Sequence, residues 1–127
     1  MKNNLRKIVC LLHYGIGFAW FGLFFLPASV WPDKVSFHFF LSVVIIGHQF
    51  VWGNFIKLRT GKFRPTCFLT TITQKLRGWA VSDPHNYNYS FTQEIFKNFG
   101  ISIPQEAVKL IALGIFASVT VQYFFFR

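Results

Sequence analysis

Two histidines within apolar runs of the chain are the residues best placed to do chemistry. His13 lies about five residues into the first run, and His48 lies about eight residues from the end of the second, with Gln49 beside it. In antiparallel helices, a rise of about 1.5 Å per residue would put both imidazoles at similar depth, within about 5 Å along the axis. Two such imidazoles could serve as axial ligands of a haem or as ligands of a metal ion.

A structural role is the alternative for these histidines. A polar side chain in a membrane helix often hydrogen-bonds a neighbouring helix, which contributes about 0.6–2 kcal/mol. His38 cannot join the pair, because ten residues, or about 15 Å of helix, separate it from His48. We expect His38 near the outer boundary, hydrogen-bonded to interfacial water or to Ser36. The sequence assigns no role to His85.

The composition favours lipid over water as the surrounding solvent. Apolar residues make up 53% of the 127 residues and charged residues only 13%, whereas soluble domains carry about 25% charged residues. The chain has thirteen Lys and Arg residues and only four acids. The basic residues lie beside the apolar runs, as the positive-inside rule expects. The charge therefore favours a membrane protein and not a nucleic-acid-binding one.

Three apolar runs predict an all-α membrane protein of one integral domain, residues 1–127. The predicted transmembrane helices cover about 8–26, 35–56 and 107–126, each long enough to cross about 30 Å of hydrocarbon. The first run could also be a signal peptide. It is too long for a typical apolar region of one, and the "PAS" that follows is a poor cleavage site, so we interpret it as a retained helix.

The distribution of Lys and Arg predicts the orientation. Three basic residues precede the first run, one lies in the first loop, and eight, Lys109 included, follow the second run. The bias predicts an N-in, C-out, multi-pass membrane protein. Both Cys10 and Cys67 would then face a reducing compartment, which argues against a disulfide.

The segment 66–79 differs from the runs on either side of it. Its residues Leu69, Ile72, Leu76 and Trp79 follow a three-four-three spacing that places them on one helical face. This pattern predicts a cytoplasmic interfacial amphipathic helix, whose apolar face enters the headgroup boundary while Lys75 and Arg77 contact lipid phosphates. The alternative is that the apolar face packs under the helix bundle as a lid.

A short helix is predicted downstream, over about 90–100. Its apolar residues recur every four positions. Ser90 could cap its start, and Gly100 is expected to stop it.

The same segment resembles a known family. The pattern "C-x-L-T-x-I-x-x-x-L-R", formed by Cys67, Leu69, Thr70, Leu76 and Arg77 with their neighbours, is similar to "C-P-L-T-x-L-E-x-x-L-R" of the uncharacterised bacterial membrane family called domain of unknown function 2784. Histidines in the first two helices and a downstream Tyr–Phe pair also fit that family. Phe68 and Thr73 depart from its Pro and Glu, and the interval between the second helix's histidine and Cys67 is longer. The resemblance implies a membrane fold and a location in the bacterial inner membrane, but no activity.

Enzyme patterns are scarce in this sequence. No nucleophile elbow, phosphate-binding loop, zinc-protease motif or dinucleotide fingerprint is present, and the four acids fall outside the apolar runs. We therefore expect a non-catalytic accessory or assembly subunit of a larger membrane complex, or a homo-oligomer, with the lipid bilayer and a protein as partners. The alternative function is a haem- or metal-binding redox protein that uses His13 and His48. The sequence assigns no cofactor, and haem b is a candidate for this alternative only. A third candidate function is a lipid-surface sensor that acts through Lys75 and Arg77.

Overall fold

The computed structural model describes residues 2–81, 83 and 91–126, and within these the chain is all-helical. The five helices are α1 (Lys2–Gly22), α2 (Lys34–Thr60), α3 (Phe68–Leu76), α4 (Phe91–Asn98) and α5 (Gln105–Phe125). No strand occurs among the described residues. The all-α prediction is therefore confirmed.

The first helix differs most from its predicted bounds. It begins at Lys2 instead of residue 8, because the polar residues of the N-terminus are compatible with a helix. It ends at Gly22 instead of residue 26, and the chain then tightens into short turns such as Phe24 N–H to Phe21 O at 3.2 Å. The Lys34 ammonium donates to the carbonyls of Leu23 and Leu26, which satisfies acceptors at this helix end.

The second helix continues four residues beyond its predicted end at residue 56. Lys57 and Arg59 lie in its last turn, where cations interact favourably with the helix dipole. It stops at Gly61, whose φ of 75° is a left-handed conformation that glycine adopts without steric cost. Gly61 N–H donates to Lys57 O at 2.8 Å, which closes the helix.

The smaller helices follow their predicted positions closely. α3 occupies Phe68–Leu76 within the predicted segment 66–79, and α4 ends just before Gly100, which has a φ of 77° as expected of a stop signal. The predicted cap Ser90 lies outside the described residues. α5 matches the predicted third helix to within two residues.

Two helices, α2 and α5, are long and apolar enough to cross a membrane. They pack against each other through aromatic rings: Phe39 stacks on Tyr123 with centroids 4.2 Å apart and planes 12° apart, and Phe40 meets Tyr123 edge-on at 5.9 Å. Val119 of α5 is fully buried. This interface ties the C-terminal helix to the rest of the molecule.

The distribution of polarity is inverted relative to a soluble protein. Among the described residues, only four apolar side chains are buried, Val9, Leu23, Ile56 and Val119. Six polar side chains are buried instead. They are His38, Ser42, Thr70, Thr71, Thr73 and Gln74.

Candidate functional site

The first two helices run antiparallel, and two contacts fix their register. Trp20 Nε1 donates to Ser42 Oγ at 2.7 Å, and the Phe24 and His38 rings meet edge-on at 4.7 Å. Trp20 and Phe24 are four residues apart along α1, and their partners Ser42 and His38 are four residues apart along α2 in the opposite direction. The same register puts His13 level with Gln49, because both helices advance by the same rise per residue.

The register therefore puts His13 and His48 one residue apart in level on the paired helices. His48 and Gln49 are half-buried, and His48 Nδ1 lies 3.3 Å from Val44 O, one turn back in its own helix. The Nε2 atom of His48 does not take part in that contact and is the nitrogen suited to a ligand. The ligand role of the pair stays a prediction.

His38 is almost fully buried within the protein. Only 2% of its surface is exposed, which leaves little room for the predicted contact with interfacial water. A hydrogen bond joins the His38 ring to the backbone of Trp20, and Nε2 of His38 has no hydrogen-bond partner among the described residues. The ring of Phe24, in the turn after α1, packs edge-on against His38 and contributes to this burial, while the position of His38 near the outer boundary stays a prediction.

The orientation of α3 also differs from the prediction. We expected its polar residues to face outwards, yet Thr70, Thr71, Thr73 and Gln74 are all buried. The helix packs against both α1 and α2. Packing on the bundle was the alternative reading, but the buried face is the polar one.

One side chain of α2 holds α3 in place. Trp52 Nε1 donates to Thr71 Oγ1 at 2.9 Å, and its ring meets Phe68 edge-on at 4.8 Å. Thr73 Oγ1 donates to Leu69 O at 2.9 Å, so this buried hydroxyl is satisfied within its own helix. Thr71 and Thr73 therefore have hydrogen-bond partners in the docked helix, whereas the buried Nε2 of Gln74 has none among the described residues.

The two predicted lipid-phosphate contacts have different surroundings. Lys75 is exposed. Arg77 donates to both carboxylate oxygens of Glu94 at 3.0 and 3.3 Å, and its guanidinium lies 5.8 Å from the Trp79 ring. Tyr14 also hydrogen-bonds Asn98, so α4 is tied to both α1 and α3. The sequence reasoning missed Glu94, since spacing within one segment gives no sign of a partner 17 residues away.

The residues of the family-like pattern all lie on or next to α3. Cys67 precedes the helix, Leu69 and Leu76 are half-buried, and Thr70 is buried. Burial raises the pKa of the Cys67 thiol, with the backbone N–H groups of Leu69 and Thr70 acting in the opposite direction. The thiol is therefore protonated at neutral pH and poorly suited to nucleophilic chemistry.

The described residues contain no group of three or more His, Cys, Asp or Glu that could hold a metal ion. A haem needs only two axial ligands, so this finding leaves the His13 and His48 hypothesis as it stands. His85 lies outside the described residues, as does Tyr87, the tyrosine of the family-like Tyr–Phe pair.

In comparisons with family models, with curated proteins and with solved structures, no match to this chain is found. The resemblance of the Cys67 to Arg77 segment to domain of unknown function 2784 therefore stays a prediction. Any conclusion about function rests on the molecule's own surface and contacts.

Proposed function

We propose that the chain is a multi-pass protein of the bacterial inner membrane that serves as a non-catalytic accessory or assembly subunit, or as a homo-oligomer. The observation that supports this is the inverted polarity of the fold. Among the described residues, 28 large apolar side chains are exposed while four apolar side chains are buried. In water such a surface would associate or aggregate, whereas in lipid it is the favourable one.

The first helix completes the proposed topology of three spans, N-in and C-out. The hydrogen bond that Trp20 donates to Ser42 keeps α1 against α2. The outward side chains of α1, Leu11, Leu12 and Ile16, are apolar and exposed. A lipid-embedded α2 would place them in hydrocarbon. Lys34 would then lie at the outer boundary, and Lys57 and Arg59 at the cytoplasmic one, as the positive-inside rule expects.

The case for a partner rests on how little the helices cover one another. α5 packs against α2 and α4, and Val119 is its single buried residue among those described. Half-buried polar groups such as Gln49 and Thr120 lie in segments that would be within the bilayer. Membrane helices commonly satisfy and cover such groups by packing against further helices.

The native mass of the protein tests this proposal. The tagged chain is extracted from its own membranes in mild detergent and sized by light scattering with the detergent contribution subtracted. We expect a complex of defined composition, either with other subunits or with further copies of this chain. A monomer at all protein concentrations would overturn the subunit and homo-oligomer proposal, and recovery in the soluble fraction without detergent would overturn the membrane location.

A haem- or metal-binding redox protein is the second candidate, favoured by the similar level of His13 and His48 on the paired helices. If haem b is bound, the purified protein shows a Soret band that is lost in both His13→Ala and His48→Ala. His85→Ala, which changes a histidine in the connection after α3, is the matched control and keeps the band. A colourless, metal-free preparation from haem-replete cells would rule this candidate out.

A further inference from the structure

The fold collects cations from three separate parts of the chain at one end. In the antiparallel register of α1 and α2, Lys2 lies level with Thr60, so the start of α1 and the end of α2 share that end. The connection after α2 and the docked α3 add further cations. The exposed members, which we call the basic end, are Lys2, Lys7, Lys57, Arg59, Lys62 and Lys75.

These six cations have no acidic partner among the described residues. Glu94 is bound by Arg77, and Glu106 is bound by Lys109 at 2.8 Å. Asp33 precedes α2 and therefore lies at the opposite end of that helix. Asp83, the fourth acid, has contacts of its own, and none of them involves the six cations. The basic end thus presents a net positive charge, which an anionic ligand would complement.

The depth of the basic end fits the headgroup layer of a membrane. From Lys34 to Trp52, where α3 docks, α2 rises about 27 Å, close to the thickness of the hydrocarbon core. The last two turns of α2 extend beyond this level. In these two turns, cations lie next to exposed apolar residues. Leu58, for example, is 83% exposed and lies between Lys57 and Arg59. Such a mixture is typical of segments that lie in the interface.

We propose that the basic end binds the phosphates of anionic phospholipids and selects them over zwitterionic ones. This inference rests on the proposed membrane location and deepens it by naming the lipid class. Arg77 is not part of the site, because its guanidinium is bound to Glu94. Lys and Arg near a membrane surface each contribute attraction to anionic lipid, and the contributions of neighbouring cations combine.

Electron paramagnetic resonance of spin-labelled lipids tests the selectivity. The full chain is reconstituted into phosphatidylcholine vesicles that contain a trace of spin-labelled phosphatidylglycerol or phosphatidylcholine, and the motionally restricted fraction is measured for each. We expect the phosphatidylglycerol probe to associate at least about threefold more strongly than the phosphatidylcholine probe in low salt. The ratio of phosphatidylglycerol to phosphatidylcholine association should fall towards one in 1 M salt, where the Debye length is about 3 Å.

The variant that tests the residues combines Lys57→Gln, Arg59→Gln, Lys62→Gln and Lys75→Gln. It should lose most of the preference while keeping its helical content, since all four side chains are exposed. The matched control exchanges each Lys for Arg and Arg59 for Lys, which keeps the charge and should keep the preference.

The outcomes separate this inference from the proposed function. Equal restriction of both probes by the native chain, or an unchanged preference in the glutamine variant, would overturn the inference and leave the membrane location standing. No restricted component for either probe would show that the chain does not contact lipid, and both proposals would fail.

Discussion

Replacing Gly53 by valine is expected to lower the free energy of unfolding by about 3 kcal/mol, at the upper end of the range for overpacked sites. A Cβ at this position would lie 2.8 Å from Arg64 O and 3.0 Å from the Phe63 ring. The first contact is with backbone, which cannot move aside as a flexible side chain could. The connection after α2 would have to leave its position, and the docking of α3 would weaken with it.

Gly47→Val is the matched control, because Gly47 lies in the same helix and a Cβ there would meet nothing within 4 Å. Both variants replace a glycine inside α2 by valine and carry the same change in helix propensity, so their difference isolates the contact with Arg64. Unfolding is followed by circular dichroism during an SDS titration of the protein in mixed micelles. Equal destabilisation by the two variants would show that the connection does not pack on Gly53.

Replacing Ser42 by leucine is expected to cost a similar amount, again about 3 kcal/mol. Ser42 is fully buried, accepts a hydrogen bond from Trp20 and donates one to His38 O at 2.7 Å. Leucine adds volume where α1 meets α2 and leaves the indole N–H without its acceptor. We therefore expect the helix pair to separate at this end.

Two further variants divide this effect into its parts. Ser42→Ala removes the hydrogen bond without adding volume and should cost about 1 kcal/mol, since hydrogen bonds between membrane helices are modest. Val44→Leu enlarges an exposed side chain two residues away and should be neutral. The same SDS titration measures all three, and a cost for Ser42→Leu no larger than that for Val44→Leu would contradict the packing described here.

The helix positions could be predicted because their signals are local. The apolar runs gave the two candidate spans to within a few residues, and Gly100 ended α4 as its conformational freedom suggested. The end of α2 was missed by four residues, since three of the four residues from Lys57 to Thr60 are polar yet all four are helical. A polar residue marks the end of an apolar run, whereas the end of the helix is set by Gly61.

The orientation of α3 could not be predicted by the same reasoning. Assigning the polar face outwards assumes that water surrounds the helix and that its neighbours are apolar. Here the neighbours offer hydrogen-bonding groups, such as the indole of Trp52 for Thr71. The burial of Thr71 and Thr73 then costs little, because each of these two hydroxyls has a partner.

The candidate site was predictable only in part. An antiparallel pairing of the first two helices is enough to bring His13 and His48 to similar depth, and it needs only sequence positions. The burial of His38 depends on the turn after α1, which folds Phe24 over it. The pairing of Arg77 with Glu94 depends on how α4 returns to the bundle. No pattern within a single segment encodes such tertiary contacts.

Two hydrogen-bonded tryptophans make the molecule its own fluorescence reporter. Trp20 is bonded across the α1–α2 contact, and Trp52 is bonded to α3. The emission of an indole changes with its hydrogen bonding and surroundings, so each tryptophan follows a different event. Chains in which Trp31, Trp79 and one of these two are replaced by phenylalanine would distinguish separation of the first two helices from release of α3, and so reveal which end of the protein opens first.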